Sequence, residues 1–230
     1  MDLRYFFYRA FFKDKKSKNL LPDFVAVNGP KAKASCKSTG FPAKKLIDAE
    51  ALRFLAFESK KLKSKAASVG AEAKLLVLTD YDLKNTTDQI AILNRAIPDL
   101  PPGLKITVKP HPSTSYCIKK YLAPKTILSI KPLGLLLQNS DIVFCSNNTA
   151  SALEAYLLGL PLIIHLSSTR LNRSPLREYS QIPFVATSNE FVEAFFDSFK
   201  NRYNKKQDVF YLNKNLHKWK KILSLTKDPI

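Results

Sequence analysis

The sequence predicts an α/β protein with a parallel, doubly wound sheet. From residue 74 onward, short apolar runs alternate with helical stretches, the pattern of repeated βαβ units. The stretch 140–166, SDIVFCSNNTASALEAYLLGLPLIIHL, packs strand, polar turn, helix and second strand into immediate succession. Within it, Ile142–Cys145 is rich in β-branched and aromatic residues, as a buried strand is. Ser146-Asn147-Asn148-Thr149 then supplies four small polar residues that favour turns and caps. A helix is expected over Ala150–Leu158, ended by Gly159 and barred from continuing by Pro161, with the next strand at Leu162–Leu166. Such a unit puts a helix N-terminus at the carboxyl edge of the sheet, where α/β proteins bind phosphate.

The remaining elements follow in order. Phe24–Val27 is a strand closed by the turn Asn28-Gly29-Pro30. Lys31–Ser38 is a short helix stopped by Gly40, and Lys45–Ile47 begins another strand. Leu75–Leu78 is a strand, Thr86–Ala96 a helix and Pro98–Gly103 a turn. Lys105–Val108 is a strand running into Lys109-Pro110-His111-Pro112. Tyr116–Tyr121 is helical, Thr126–Ile130 a strand and Leu133–Asn139 a helical turn. Ile182–Ala186 is a strand, Asn189–Phe199 an amphipathic helix capped by Asn189 or Ser188, and Asn213–Leu225 a basic helix. This organisation divides the chain into 1–57, a lysine-rich linker over 58–73, and a larger domain over 74–230.

The chain has 230 residues, 45% of them hydrophobic, enough for a substantial core. Cys36, Cys117 and Cys145 are far apart and odd in number, which argues against a disulfide framework and for a reducing, cytoplasmic setting. The longest apolar tract, 152–166, contains Glu154 and His165, so no membrane span is expected. The basic surplus is large: 37 Lys and Arg against 19 Asp and Glu, a net charge of +18. It implies a polyanionic partner, whether nucleic acid, anionic lipid or a phosphorylated substrate, or simply a solvated lysine-rich surface.

Two segments carry chemistry. Two prolines hold the backbone extended around His111, so a rigid strand end presents an imidazole suited to phosphate binding or to stabilising a leaving group. The competing role is a histidine bonded within its own turn. The Ser146–Thr149 turn offers hydroxyls, amides and backbone N–H groups as a phosphate cradle. Against that, Ser151-Ala152-Leu153-Glu154 matches a capping box, in which Ser151 and Glu154 would satisfy each other's backbone donors. Asp80-Tyr81-Asp82 is read as a cap and turn rather than a metal site, and His165 and His217 as structural. No Ser/His/Asp relay and no GxGxxG loop is present, and no group has metal-ligand spacing.

Lys109-Pro110-His111-Pro112, followed by residues 139–161 (NSDIVFCSNNTASALEAYLLGLP), resembles the donor domain of GT-B glycosyltransferases, and within them a family of bacterial surface-carbohydrate biosynthesis proteins. The segments 25–30 (VAVNGP) and 50–55 (EALRFL) are similar to that family just before its second domain. The order of His-Pro and then a Ser/Thr turn is similar to sialyl and Kdo transferases that use CMP-sugars. The resemblance implies a Rossmann-like, GT-B C-terminal domain binding a nucleotide-sugar donor, with 1–57 a remnant of the first, acceptor-side domain. It implies that His111, with Lys109 beside it, faces the donor phosphate. It implies that Ser146, Asn147, Asn148, Thr149 and Ser151 surround that phosphate and that Glu154 holds the ribose. No cofactor and no metal is expected beyond the donor substrate. The acceptor would be a glycan or a lipid-linked saccharide at the cytoplasmic face of an anionic membrane.

Glycosyl transfer needs a general base, which this fold usually places in the first domain; no catalytic residue is identified in the sequence. A first domain of on the order of 150 residues has no room here, so the expectation is that the sequence is a truncated product or fragment, that another chain supplies the rest, or that the protein is a non-catalytic remnant. A basic nucleic-acid-binding module is the alternative from another class, disfavoured because the lysines are not interleaved with a base-stacking platform. A nucleotide-sugar epimerase ranks low, for want of paired acid/base residues.

Overall fold

The computed structural model describes residues 22–58, 73–200 and 209–225. They form two compact units: 22–58 with 209–225, and 73–200. The linker predicted over 58–73 lies almost wholly outside the described residues, as do the first 21 residues.

In the first unit, β1 (Val25–Val27) and β2 (Leu46–Asp48) pair in parallel around α1 (Pro30–Ser38). Val27, Cys36, Phe41 and Leu46 form one buried cluster, and Phe54 and Phe57 are buried in the segment that follows β2. The basic C-terminal helix α6 (His217–Leu225), which the sequence reading assigned to the larger domain, belongs to this unit. Two hydrogen-bonding patterns bring it there. The strand-like segment before it pairs with the unit's backbone through Tyr211 N–H to Asn28 O and Ala51 N–H to Tyr211 O. The Glu50 carboxylate then accepts from the backbone N–H groups of Lys218 (2.8 Å) and Trp219 (3.0 Å), the free donors at the start of α6. A side chain distant in sequence thus caps this helix.

The second unit is a six-stranded, wholly parallel sheet in the order β5-β4-β3-β6-β7-β8. Its strands are β3 (Lys74–Leu78), β4 (Lys105–Lys109), β5 (Thr126–Leu128), β6 (Ile142–Ser146), β7 (Leu162–His165) and β8 (Phe184–Val185). The helices are α2 (Leu83–Ala96), α3 (Leu133–Gln138), α4 (Ser151–Leu157) and α5 (Ser188–Lys200). The central strands β3 and β6 are almost entirely apolar and buried, as strands covered on both faces must be. Phe144 of β6 packs on Phe191 of α5, with ring centroids 4.5 Å apart.

Element ends match the local chemistry, with two corrections. Helix α4 ends as predicted: Gly159 has φ +69° and the chain closes with Leu160 N–H to Ala155 O and Gly159 N–H to Tyr156 O, a Schellman motif. Its start differs. Ala150 is the N-cap, with no side-chain cap bond, and Ser151 is already helical, because its N–H is taken by Thr149 Oγ1. The expected Ser151–Glu154 capping box therefore does not form. One forms instead at α5, a residue before the predicted cap: Thr187 Oγ1 accepts from Glu190 N–H, and the Glu190 carboxylate accepts from the Ala186 and Thr187 N–H groups.

Candidate functional site

In the second unit the chain runs outward from β3 through β4 to β5, then returns to place β6 on the other side of β3. The winding reverses between β3 and β6. Parallel α/β sheets open a ligand crevice at the carboxyl ends of the strands at such a reversal. Here those ends carry Thr79–Asp82 after β3, Pro110–Thr114 after β4, and the Ser146–Thr149 turn at the end of β6.

His111 and the Ser146–Thr149 turn stand at the same sheet edge, on strands that both flank β3. The strands that carry them are thus separated by β3 rather than adjacent. Two consecutive β3-end residues bind them. Thr79 Oγ1 accepts from the His111 N–H at 3.0 Å. Asp80 Oδ2 accepts from Ser146 Oγ (2.5 Å) and from the side-chain amides of Asn148 (3.1 Å) and Asn85 (3.0 Å). The other carboxylate oxygen of Asp80 takes the Asp82 N–H, and its backbone carbonyl takes the Thr86 and Thr114 hydroxyls.

Asp80 is therefore the hub of the edge. It is 1% exposed, yet it ties together the β3 end, α2, the β4 loop and the β6 turn. The sequence reading made Asp80-Tyr81-Asp82 a cap and turn. That holds for Asp82, whose carboxylate accepts the Asn85 N–H and caps α2. It misses Asp80, whose partners lie up to 68 residues away. The only local signal was an aspartate directly after a buried strand.

The predicted site residues separate accordingly. Ser146 and Asn147 are buried, and both side chains are spent internally, Ser146 on Asp80 and Asn147 on the Leu171 carbonyl. Their side chains do not line an open surface, contrary to expectation, because a carboxylate beneath the turn draws the Ser146 hydroxyl inward. Asn148, Thr149 and Ser151 are part-exposed at the mouth, and Glu154 lies one helical turn further on, also part-exposed. Lys109 is turned away: its Nζ donates to the Lys131 carbonyl, toward the β5 side. His111 is exposed, with Tyr81 edge-on to it at 6.3 Å. Across the crevice the loop after β7 brings Arg170, 3.8 Å from Asp82 Oδ1.

Beneath this edge His165, at the end of β7, is 3% exposed against Phe144. Burial pushes its imidazole below the usual histidine range, outweighing the charges of Asp88 and Asp80, which pull the other way. It is a structural histidine, as the sequence suggested, and its burial favours the neutral ring. Among the described residues no three metal-ligating side chains come together. None of the described helices is long and apolar enough to cross a membrane.

No protein-family model and no curated protein matches the chain. Solved structures do. The UDP-GlcNAc 2-epimerase of Methanocaldococcus jannaschii, in complex with UDP-GlcNAc and UDP, superposes on 92% of this chain and 63% of its own, with TM-score 0.61 and 16% identity. The fold is GT-B-like. The UDP-GlcNAc 2-epimerase of Neisseria meningitidis, bound to UDP-GlcNAc, matches 94% of this chain and 64% of its own at TM-score 0.59 and 15% identity. Anabaena HepE, in complex with UDP and glucose, matches 83% and 57% at TM-score 0.50 and 12% identity. The chain spans less than two thirds of the length of each. At such identities the likeness establishes the GT-B-like fold, with its parallel sheet, and no more.

Proposed function

We propose that the second unit binds a nucleotide-activated sugar in the crevice between β3 and β6. The observation that carries this reading is the joint anchoring of His111 and the Ser146–Thr149 turn by adjacent residues, Thr79 and Asp80, at the point of strand reversal. His111 supplies one anion contact. Asn148 and Thr149 supply the second, from part-exposed side chains. Glu154, a turn into α4, is placed to accept from ribose hydroxyls.

We take the donor to be a nucleoside diphosphate sugar rather than a CMP-sugar. The UDP complexes of structures with this fold support the same preference. The chemistry that suits the arrangement is glycosyl transfer in surface-polysaccharide synthesis: negative charge growing on the leaving phosphate is met by the polar groups of the turn and by His111 once its ring is protonated. The acceptor is a glycan or lipid-linked saccharide, and the lysine surplus serves an anionic membrane surface on the cytoplasmic side. The general base is not among the residues assigned to this crevice. Epimerisation of the nucleotide-sugar is the second reading, favoured by the two UDP-GlcNAc 2-epimerases of the same fold.

Calorimetry with UDP, GDP, CDP and CMP tests the proposal. UDP binding that His111→Ala weakens about tenfold, the loss of one charge-assisted hydrogen bond, is the expected result. A folded protein that binds none of the four at millimolar concentration overturns it. Incubation with UDP-GlcNAc then separates the two readings, since only epimerisation changes the sugar without an acceptor.

A further inference from the structure

His111 is held inside a three-residue turn whose hydrogen bonds decide where its proton sits. Nδ1 lies 2.8 Å from Ser113 Oγ, and that hydroxyl donates to the Tyr81 carbonyl at 2.9 Å. A serine hydroxyl has one proton. With that proton on Tyr81 O, the oxygen can only accept from the ring, which requires hydrogen on Nδ1. The Ser113 backbone N–H also points at Nδ1, from 3.2 Å, and this bond belongs to the opposite tautomer. The two arrangements exclude each other. The first makes two shorter bonds in series, Nδ1–H to Oγ and Oγ–H to Tyr81 O. Its cost is that the Ser113 N–H, on an exposed residue, loses the longer and weaker of the bonds. The second places two donors on one lone pair and strips the Tyr81 carbonyl of its partner.

We propose that Ser113 is a positioning residue that keeps the neutral His111 ring protonated on Nδ1, leaving Nε2 as a bare proton acceptor at the mouth of the crevice. Pro112 stiffens the backbone between the two, and Thr79 holds the His111 N–H, so the turn is rigid on both sides. The other ionisable groups around the ring are committed elsewhere. Lys109 is on the Lys131 carbonyl, Asp80 on its four donors, Asp82 on the N-terminus of α2 and Arg170, and Tyr81 meets the ring by its edge. A histidine oriented in this way is a proton acceptor when neutral and binds an anion through Nε2 only after taking up a proton. The consequence for nucleotide binding rests on the proposed function; the tautomer itself does not.

The test is long-range 1H–15N correlation on the ligand-free protein at a pH where the ring is neutral. His111→Gln identifies the signals among the three histidines. The wild type is expected to show a protonated Nδ1 and a bare Nε2. In Ser113→Ala the hydroxyl is gone while the backbone N–H remains, so the tautomer should reverse; Ser113→Thr should retain the wild-type pattern. A protonated Nε2 in the wild type, or a pattern unchanged in Ser113→Ala, overturns the proposal. Calorimetry with UDP in buffers of different ionisation enthalpy adds the functional arm: proton uptake in the wild type, lost in Ser113→Ala. If UDP does not bind, the proposed function fails while the spectra still decide the tautomer.

Discussion

The two units bury polar side chains for opposite purposes. In the first, the buried carboxylate is Glu50, and it serves α6: its oxygens cap the helix, and its backbone carbonyl takes the Trp219 indole N–H at 2.9 Å. In the second, the buried polar residues Thr79, Asp80, Asn85, Thr86, Thr114, Ser146 and Asn147 gather at one edge of the sheet, under a crevice. The apolar clusters differ in the same sense. Buried apolar residues are far more numerous in the second unit than in the described part of the first, which also carries the part-exposed pair Lys33–Asp48 at 2.8 Å. A polar layer beneath an open edge is where a binding surface is prepared; a single buried carboxylate under a helix start is where a segment is fastened.

Breaking each carboxylate in turn sharpens this contrast. Asp80→Ala should have the largest effect. It strands the Ser146 hydroxyl, two side-chain amides and one backbone N–H, and should cost the second unit on the order of 3 kcal/mol in urea denaturation, along with UDP binding. Hydrogen exchange should show the loss in β6 with β1 unaffected. Glu50→Ala should cost about 1 kcal/mol, the loss of a helix cap, and release α6. Trp219 is the sole tryptophan, so its fluorescence reports this directly.

Acid separates the units next. Burial tends to raise both Asp48 and Glu50. The bonds from Lys33 to Asp48, and from the backbone N–H groups to Glu50, more than reverse it and leave both below the usual carboxylate range. Their contribution is present above the unfolded values of 3.8 and 4.5 and is lost as the pH falls through the lower folded values. His165 titrates earlier. Burial depresses it, so its contribution is complete above 6.5 and declines as the pH falls from there toward the folded value. As the pH falls below 6.5 the second unit should weaken while Trp219 fluorescence stays constant, and His165→Gln should flatten that slope. The smallest effects compare two similar tetrads. Thr187→Ala should destabilise by about 1 kcal/mol, whereas Ser151→Ala should change stability by only a few tenths, since Ser151 caps nothing. Thermal melts of the two variants side by side check this.

Those tetrads also show how far local pattern carries. Ser151–Glu154 and Thr187–Glu190 both fit the capping motif, and only the second forms, because Thr149 already engages the first helical N–H of α4. Likewise the strands and helices of residues 74–200, Gly159 as a helix stop and Asp82 as a cap follow from periodicity and side-chain chemistry within a few residues.

By itself, then, the sequence determined the alternation of strands and helices, the parallel α/β class and the placing of His111 and the Ser146–Thr149 turn at strand ends. These rest on contacts within a turn or two of chain. The tertiary structure alone decided that α6 joins the first unit, that Lys109 turns away, that Ser146 faces inward, and that Asp80 is the hub. Each depends on a hydrogen bond to a residue far along the chain, from 22 positions for Lys109 to 168 for Glu50, and only folding brings such partners within 3 Å or so of each other.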